Sequence, residues 1–129
     1  MSKIFGGILS VALGVVLGTA NAAPAWADQV TKDARGRVIF RMKQNADRSS
    51  HRTSIQYRSD SEQPAVVVDE DLDPSQRPTR RVEQRFDDQG RLKEKLEVTI
   101  DPAGKERGTL TRYSYDPSGQ RFDEAKPIN

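Results

Sequence analysis

The sequence predicts an all-β domain, a small antiparallel meander of hairpins that closes partly into a barrel or folds into a small sandwich, after an N-terminal signal helix. Three observations carry that expectation: a turn unit used repeatedly, period-two alternation between the turns, and an apolar N-terminal run that ends in small residues.

The N-terminus comes first. Lys3 is followed by an apolar stretch from Ile4 to Ala20 and then by Asn21-Ala22-Ala23-Pro24-Ala25-Trp26-Ala27 before the first acid at Asp28. One positive charge, an apolar run and small residues near a polar start are the parts of a secretory signal peptide, with cleavage expected after Ala27, or alternatively after Ala22. Residues 1–27 are therefore read as the signal peptide and 28–129 as the β-rich domain, placed in the periplasm or secreted, with no stable membrane insertion after cleavage. The chain has no cysteine, which excludes a disulfide scaffold and a lipid-modified cysteine anchor.

Lys3 is the only charged side chain before Asp28, so the domain carries 20 Lys and Arg against 19 Asp and Glu. Such near-neutrality removes the usual electrostatic argument for nucleic acid, and no nucleic acid partner is expected. Val, Ile, Leu and Phe supply 18 of its 102 residues, a composition close to that of disordered chains and sufficient for one modest core.

Four stretches place Asp three residues before Gly: Asp33 to Gly36, Asp87 to Gly90, Asp101 to Gly104 and Asp116 to Gly119. Asp accepts from backbone N–H groups, Pro at the second position presets φ, and Gly at the fourth tolerates positive φ. This combination predicts a type I turn that hands over to a bulged strand. The last three units are 14 and 15 residues apart, room for one strand and its turn.

The intervening segments alternate accordingly. Leu92, Leu96, Val98 and Ile100 share one face, and Lys93, Lys95, Glu97 and Thr99 the other. The good helix formers Leu92 to Glu97 offer a helical alternative, which Val98-Thr99-Ile100 and the flanking turns oppose. Alternation also predicts Val82 and Phe86 on one side of a strand, Tyr113 and Tyr115 together on another, and Val38, Phe40 and Met42 on a third. Ile55 and Tyr57 repeat it more weakly, and Gly108 marks a bulge or a close approach. From Arg58 to Thr79 three prolines and an acidic run predict a flexible central loop near 59–79, within which Ala65 to Val68 could form a short strand.

Phe86-Asp87-Asp88-Gln89-Gly90-Arg91 and Tyr115-Asp116-Pro117-Ser118-Gly119-Gln120 resemble the tyrosine-aspartate repeats of bacterial Rhs-type proteins. Ile100 to Lys105 is similar with isoleucine in the aromatic position, and Asp33 to Arg37 is a more distant echo with Lys32 there. The resemblance covers about residues 81–122. It implies β-hairpin architecture and an extracytoplasmic setting; three or four units are too few to form the toxin-wrapping shells of the large family members.

The chemistry-bearing residues are few. His51 is the single histidine, so zinc ligation and Cys/His nucleophilic catalysis lack their groups. The run Asp69-Glu70-Asp71-Leu72-Asp73 offers oxygens to calcium yet lacks the glycine and terminal glutamate of an EF-hand loop. No metal, cofactor or catalytic residue is expected, and the chain reads as a non-enzyme. The expected role is a small binding or structural protein of the bacterial envelope that meets an envelope protein or itself. The alternatives are a carbohydrate or envelope-ligand module using Tyr57, Tyr113 and Tyr115, and an inhibitor of an envelope-directed enzyme.

Overall fold

Asp33 shows how this chain reverses direction. Its Oδ1 accepts from the backbone N–H groups of Arg35 and Arg37 at 2.9 and 3.0 Å, while the Gly36 N–H donates to the Asp33 carbonyl at 3.0 Å. Gly36 then takes φ 82°, a left-handed conformation that an L side chain resists, and the chain leaves as a bulged strand. Asp87, Asp101 and Asp116 accept in the same way, with Gly90, Gly104 and Gly119 at φ 81°, 86° and 90°.

The computed structural model describes residues 28–128, and the expected signal helix lies outside them. The strands are β1 (Asp28–Lys32), β2 (Val38–Gln44), β3 (Ser50–Tyr57), β4 (Pro64–Leu72), β5 (Pro78–Phe86), β6 (Leu92–Ile100), β7 (Glu106–Tyr115) and β8 (Arg121–Ile128). They form one antiparallel sheet in sequence order. β1 pairs only with β2 and β8 only with β7, so the sheet is open and not a closed barrel. Leu92–Ile100 is strand throughout, with no helix at Leu92 to Glu97.

Two turns without glycine place another residue in the same left-handed conformation. At Asp73 the carboxyl accepts from the N–H groups of Ser75 and Arg77, and Gln76 adopts φ 67°; at Asn45 the corresponding residue is Arg48, with φ 75°. The Asp73 turn and the strand before it correct the expectation of a flexible loop near 59–79. Its middle, Pro64–Leu72, is β4, held between β3 and β5 by pairs that run from Ser50↔Leu72 to Val66↔Arg85. Its prolines fall where the ladder tolerates them, with Pro64 and Pro78 opening strands and Pro74 inside the turn.

β5 and β6 shift register near their turn: Arg85 pairs with Glu94 and Phe86 with Leu92, so Lys93 of β6 is the extra, unpaired residue, while Val82 pairs with Glu97.

Register assigns the two faces. On one, Phe40, Ser54, Val68, Glu83, Leu96 and Leu110 line up across β2 to β7, beside a row of Met42, Arg52, Glu70, Arg81, Val98, Gly108 and Ile128. The opposite face carries His51, Asp71, Arg80 and Thr99 in register. Strands touch only their sequence neighbours, and the buried apolar side chains are Leu72 and Val98, both on the first face. Val98, 1% exposed, gains the roughly 1.5–3 kcal/mol of a fully buried apolar side chain. Gly108 makes that burial possible: a Cβ there would collide with the Glu97 carbonyl and press on Val98 Cγ2 and Ile128 Cγ1 at 3.1 and 3.2 Å. Of the two readings of Gly108, the structure shows a close approach.

Candidate interaction surface

The Val98 face is the apolar side of a sheet that no second layer covers among the described residues. Val66, Val68, Leu96, Ile100 and Leu110 are all half-buried there. Between them the charged residues alternate in sign from strand to strand: Arg52, Glu70 and Arg81 in one row, and Arg85, Glu94, Arg112 and Glu124 in another. Arg52 Nε donates to Glu70 at 2.8 Å and Arg112 Nε to Glu94 at 3.1 Å. Opposite charges on facing positions favour this register over slipped ones, since a slip places like charges together or turns the apolar row to the other side.

On the opposite face His51 is held between two carboxylates. Nδ1 lies 2.7 Å from Asp71 Oδ1 and Nε2 3.0 Å from Asp69 Oδ1. Only the protonated ring donates from both nitrogens. The hydrogen bond to Asp71, joined by that to Asp69 and by the two negative charges, raises the imidazole pKa above its usual value against the opposing effect of burial. Thr53 also donates to Asp69, at 2.6 Å, and Arg80 lies 3.9 Å from Asp71 and 3.2 Å from Glu97.

Strand alternation thereby splits the acidic run considered for calcium. Asp69 and Asp71 face His51, Glu70 faces Arg52 on the other side, and Asp73 holds its turn. Among the described residues no three His, Cys, Asp or Glu side chains converge in a manner that could hold a metal ion.

The tyrosines singled out for ligand contact occupy two distant places. Tyr57 ends β3 and Tyr113 and Tyr115 end β7, so four strand spacings, about 19 Å, separate them. Tyr115 donates its hydroxyl to the Leu92 carbonyl at 2.6 Å, and the Arg91 guanidinium stacks on its ring at 4.4 Å. Tyr57 does the same with the Val38 carbonyl at 2.7 Å and with Arg37 at 4.7 Å. Each arginine is anchored in turn by the aspartate of its own turn, Arg91 Nε on Asp87 Oδ2 and Arg37 Nε on Asp33 Oδ2. Tyr113 lies under Arg121 at 4.7 Å. The aspartate of the turn, the arginine after the glycine and a tyrosine from the next-strand end thus form one repeated structural clasp.

The turns also lock laterally. Gln76 accepts from the buried Ser50 hydroxyl at 3.4 Å and donates to the Arg48 carbonyl at 3.3 Å, joining the β4–β5 turn to the β2–β3 turn. One recess lies over Gly108 between Arg80, Glu97, Arg107 and Thr109. Among the described residues no helix is long and apolar enough to cross a membrane.

Sequence reasoning overlooked Gln76 because it sought glycine at the fourth turn position. The available signal was Asp73-Pro74-Ser75, identical to Asp116-Pro117-Ser118 and 14 residues before Asp87. Comparison of the chain with family models, curated proteins and solved structures found no match.

Proposed function

We propose that this chain is a small exported binding or structural protein of the bacterial cell envelope that docks an envelope protein on its Val98 face and performs no catalysis. The observation that carries the reading is the set of half-buried apolar positions Val68, Leu96 and Leu110, interrupted by Glu83 and flanked by charge ladders, on a sheet one layer thick among the described residues. A sheet with one apolar face gains free energy by covering it, and a protein surface of complementary charge is the natural cover. The signal-like residues 1–27 and the resemblance of the aromatic-Asp-x-x-Gly turns to Rhs-type repeats support the extracytoplasmic setting. The aromatic ligand module draws less support, since Tyr57 and Tyr115 already commit their hydroxyls to backbone carbonyls.

The test uses the full-length chain produced in a bacterium, with a photoreactive residue at Leu96 or at Thr111. Recovery of a shortened chain in the envelope fraction, cross-linked to a protein from Leu96 and not from Thr111, is the expected result. An unprocessed cytoplasmic chain rejects the setting, and equal or absent cross-linking from both positions rejects the face.

A further inference from the structure

The β8 strand is an open edge whose side chains complement themselves. The hydrogen bond from the Asp116 N–H to the Gln120 carbonyl closes the last hairpin. Hydrogen-bonded and open pairs alternate from there, so Arg121, Asp123, Ala125 and Pro127 direct their backbone groups away from β7. Pro127, which has no N–H, sits at an outward position, where the β7 ladder does not miss it. The even-numbered residues Phe122, Glu124, Lys126 and Ile128 stand on the Val98 face. Phe122 is 50% exposed, and among the described residues neither Glu124 nor Lys126 makes an ion pair, although both charges stand at the edge.

We infer that β8 is a homodimerisation edge, two copies pairing β8 antiparallel to β8 about a two-fold axis through Ala125. In that register Ala125 exchanges both backbone hydrogen bonds with the partner's Ala125, and the Asp123 N–H donates to the carbonyl of the partner's Pro127. On the Val98 face Glu124 meets the partner's Lys126 and Phe122 meets the partner's Ile128, each contact occurring twice by symmetry. Both fall in non-hydrogen-bonded pairs, where facing side chains approach most closely. Registers with Asp123, Glu124 or Lys126 on the axis oppose like charges, and one with Phe122 on the axis leaves Ala125 to Ile128 unpaired.

The other edge is a poorer partner. β1 has five residues against the eight of β8. A head-to-tail contact with matched faces sets Glu124 against Thr31 and Lys126 against Gln29 of the next copy, wasting both charges and growing an open series. The two-fold contact instead closes, and it joins two Val98 faces into one continuous surface.

Sedimentation of the full-length chain over a concentration series tests the proposal. A closed monomer–dimer equilibrium is expected. Glu124→Lys or Lys126→Glu alone weakens it at least tenfold, and the double reversal restores it. The double variant keeps the same new lysine beside Arg112, so a loss that the double reverses belongs to the interface and not to folding. Because the chain has no cysteine, Ala125→Cys introduces the only thiol. A hydrogen-bonded pair holds its Cα atoms about 5.5 Å apart, within disulfide reach, so mild oxidation should yield a covalent dimer that Val30→Cys does not give. A persistent monomer, an open-ended series of oligomers, or a dimer indifferent to both single reversals overturns the inference. Each of these outcomes is independent of cross-linking from Leu96, so the docking face and the dimer edge stand or fall separately.

Discussion

Tyr115 donates its hydroxyl to the Leu92 carbonyl at 2.6 Å while Arg91, the residue before that carbonyl, covers its ring. Tyr57, Val38 and Arg37 repeat the arrangement in the N-terminal half. A feature built twice from the same three parts serves the architecture. Tyr115→Phe keeps the ring and the stacking and leaves a part-buried carbonyl short of a donor, so it should lower stability by about 1 kcal/mol. Chemical denaturation reads the loss; an unchanged midpoint would show that the hydroxyl contributes nothing, and Tyr57→Phe should behave alike.

The His51 clasp predicts a pH dependence whose sign is fixed by the direction of its shift. The folded pKa is raised above the ordinary 6.5, so the folded state holds its proton more tightly than the unfolded one. The resulting stabilisation is complete below pH 6.5 and disappears as pH rises through the higher folded value. His51→Gln should therefore cost most stability at mildly acidic pH and little in alkali, measured as the difference in thermal midpoint from the unmodified chain. Lys43 stands across from His51 on β2 and Arg80 lies 3.9 Å from Asp71, the basic groups that face this clasp from the neighbouring strands. A mutant-to-parent difference that is flat with pH removes the imidazolium from the account.

Acid should loosen the turns. Backbone N–H donation from Arg77 and Arg91 holds the Asp73 and Asp87 carboxyls below their usual range, and Ser118 does so for Asp116 through its hydroxyl, with Gln120 adding its N–H. A depressed folded pKa contributes stability that is present above the unfolded value of 3.8 and is lost as pH falls through the folded one. Asp87→Asn should flatten the low-pH decline of the thermal midpoint. A decline as steep as that of the parent would dissociate Asp87 from acid stability.

The left-handed turn positions predict substitutions of opposite sign. Gly119 at φ 90° has open space around a would-be Cβ, so Gly119→Val tests backbone conformation alone and should cost about 1–2 kcal/mol. Arg48 occupies the equivalent conformation at φ 75° with a side chain that makes no hydrogen bond among the described residues, and Arg48→Gly should be neutral or stabilising by up to about 1 kcal/mol. Two destabilised variants would contradict the shared geometry.

Gly108 is different, because its constraint is contact and not φ. Gly108→Ala should force β6 and β7 apart at Glu97 and expose Val98, a loss of about 1–3 kcal/mol by overpacking. Amide exchange that speeds up at Val98 more than at Val66 would locate the damage; uniform exchange would not fit the proposed collision.

Much of this architecture was legible along the chain. Asp and Gly at fixed spacing specify the hairpin reversals at Asp33, Asp87, Asp101 and Asp116, since those hydrogen bonds close within five residues. Alternation in Leu92 to Ile100 likewise specifies which side chains share a face, because a strand turns each successive Cβ to the opposite side. Local rules fail where the partner strand intervenes. The acids of Asp69 to Asp71 read as loop until His51 and Arg52, 18 to 20 residues earlier, supply their counter-charges. The bulge that sets Phe86 against Leu92 and passes over Lys93 is a relation between two strands, invisible in either alone. Tyr57 and Tyr115 look available for a ligand until the folded sheet brings the carbonyls of Val38 and Leu92 to their hydroxyls.

By itself the sequence determined the turn chemistry, the strand period and the near balance of charge, all properties of residues close together in the chain. Only the tertiary structure decided that the sheet remains one open layer, that the acidic run is a central strand, and that Phe122 and Val98 have such different exposures. Those outcomes depend on which strands lie side by side: Val98 has β5 and β7 beside it and glycine at its cross-strand position, whereas Phe122 stands at the edge with a neighbour on one side only.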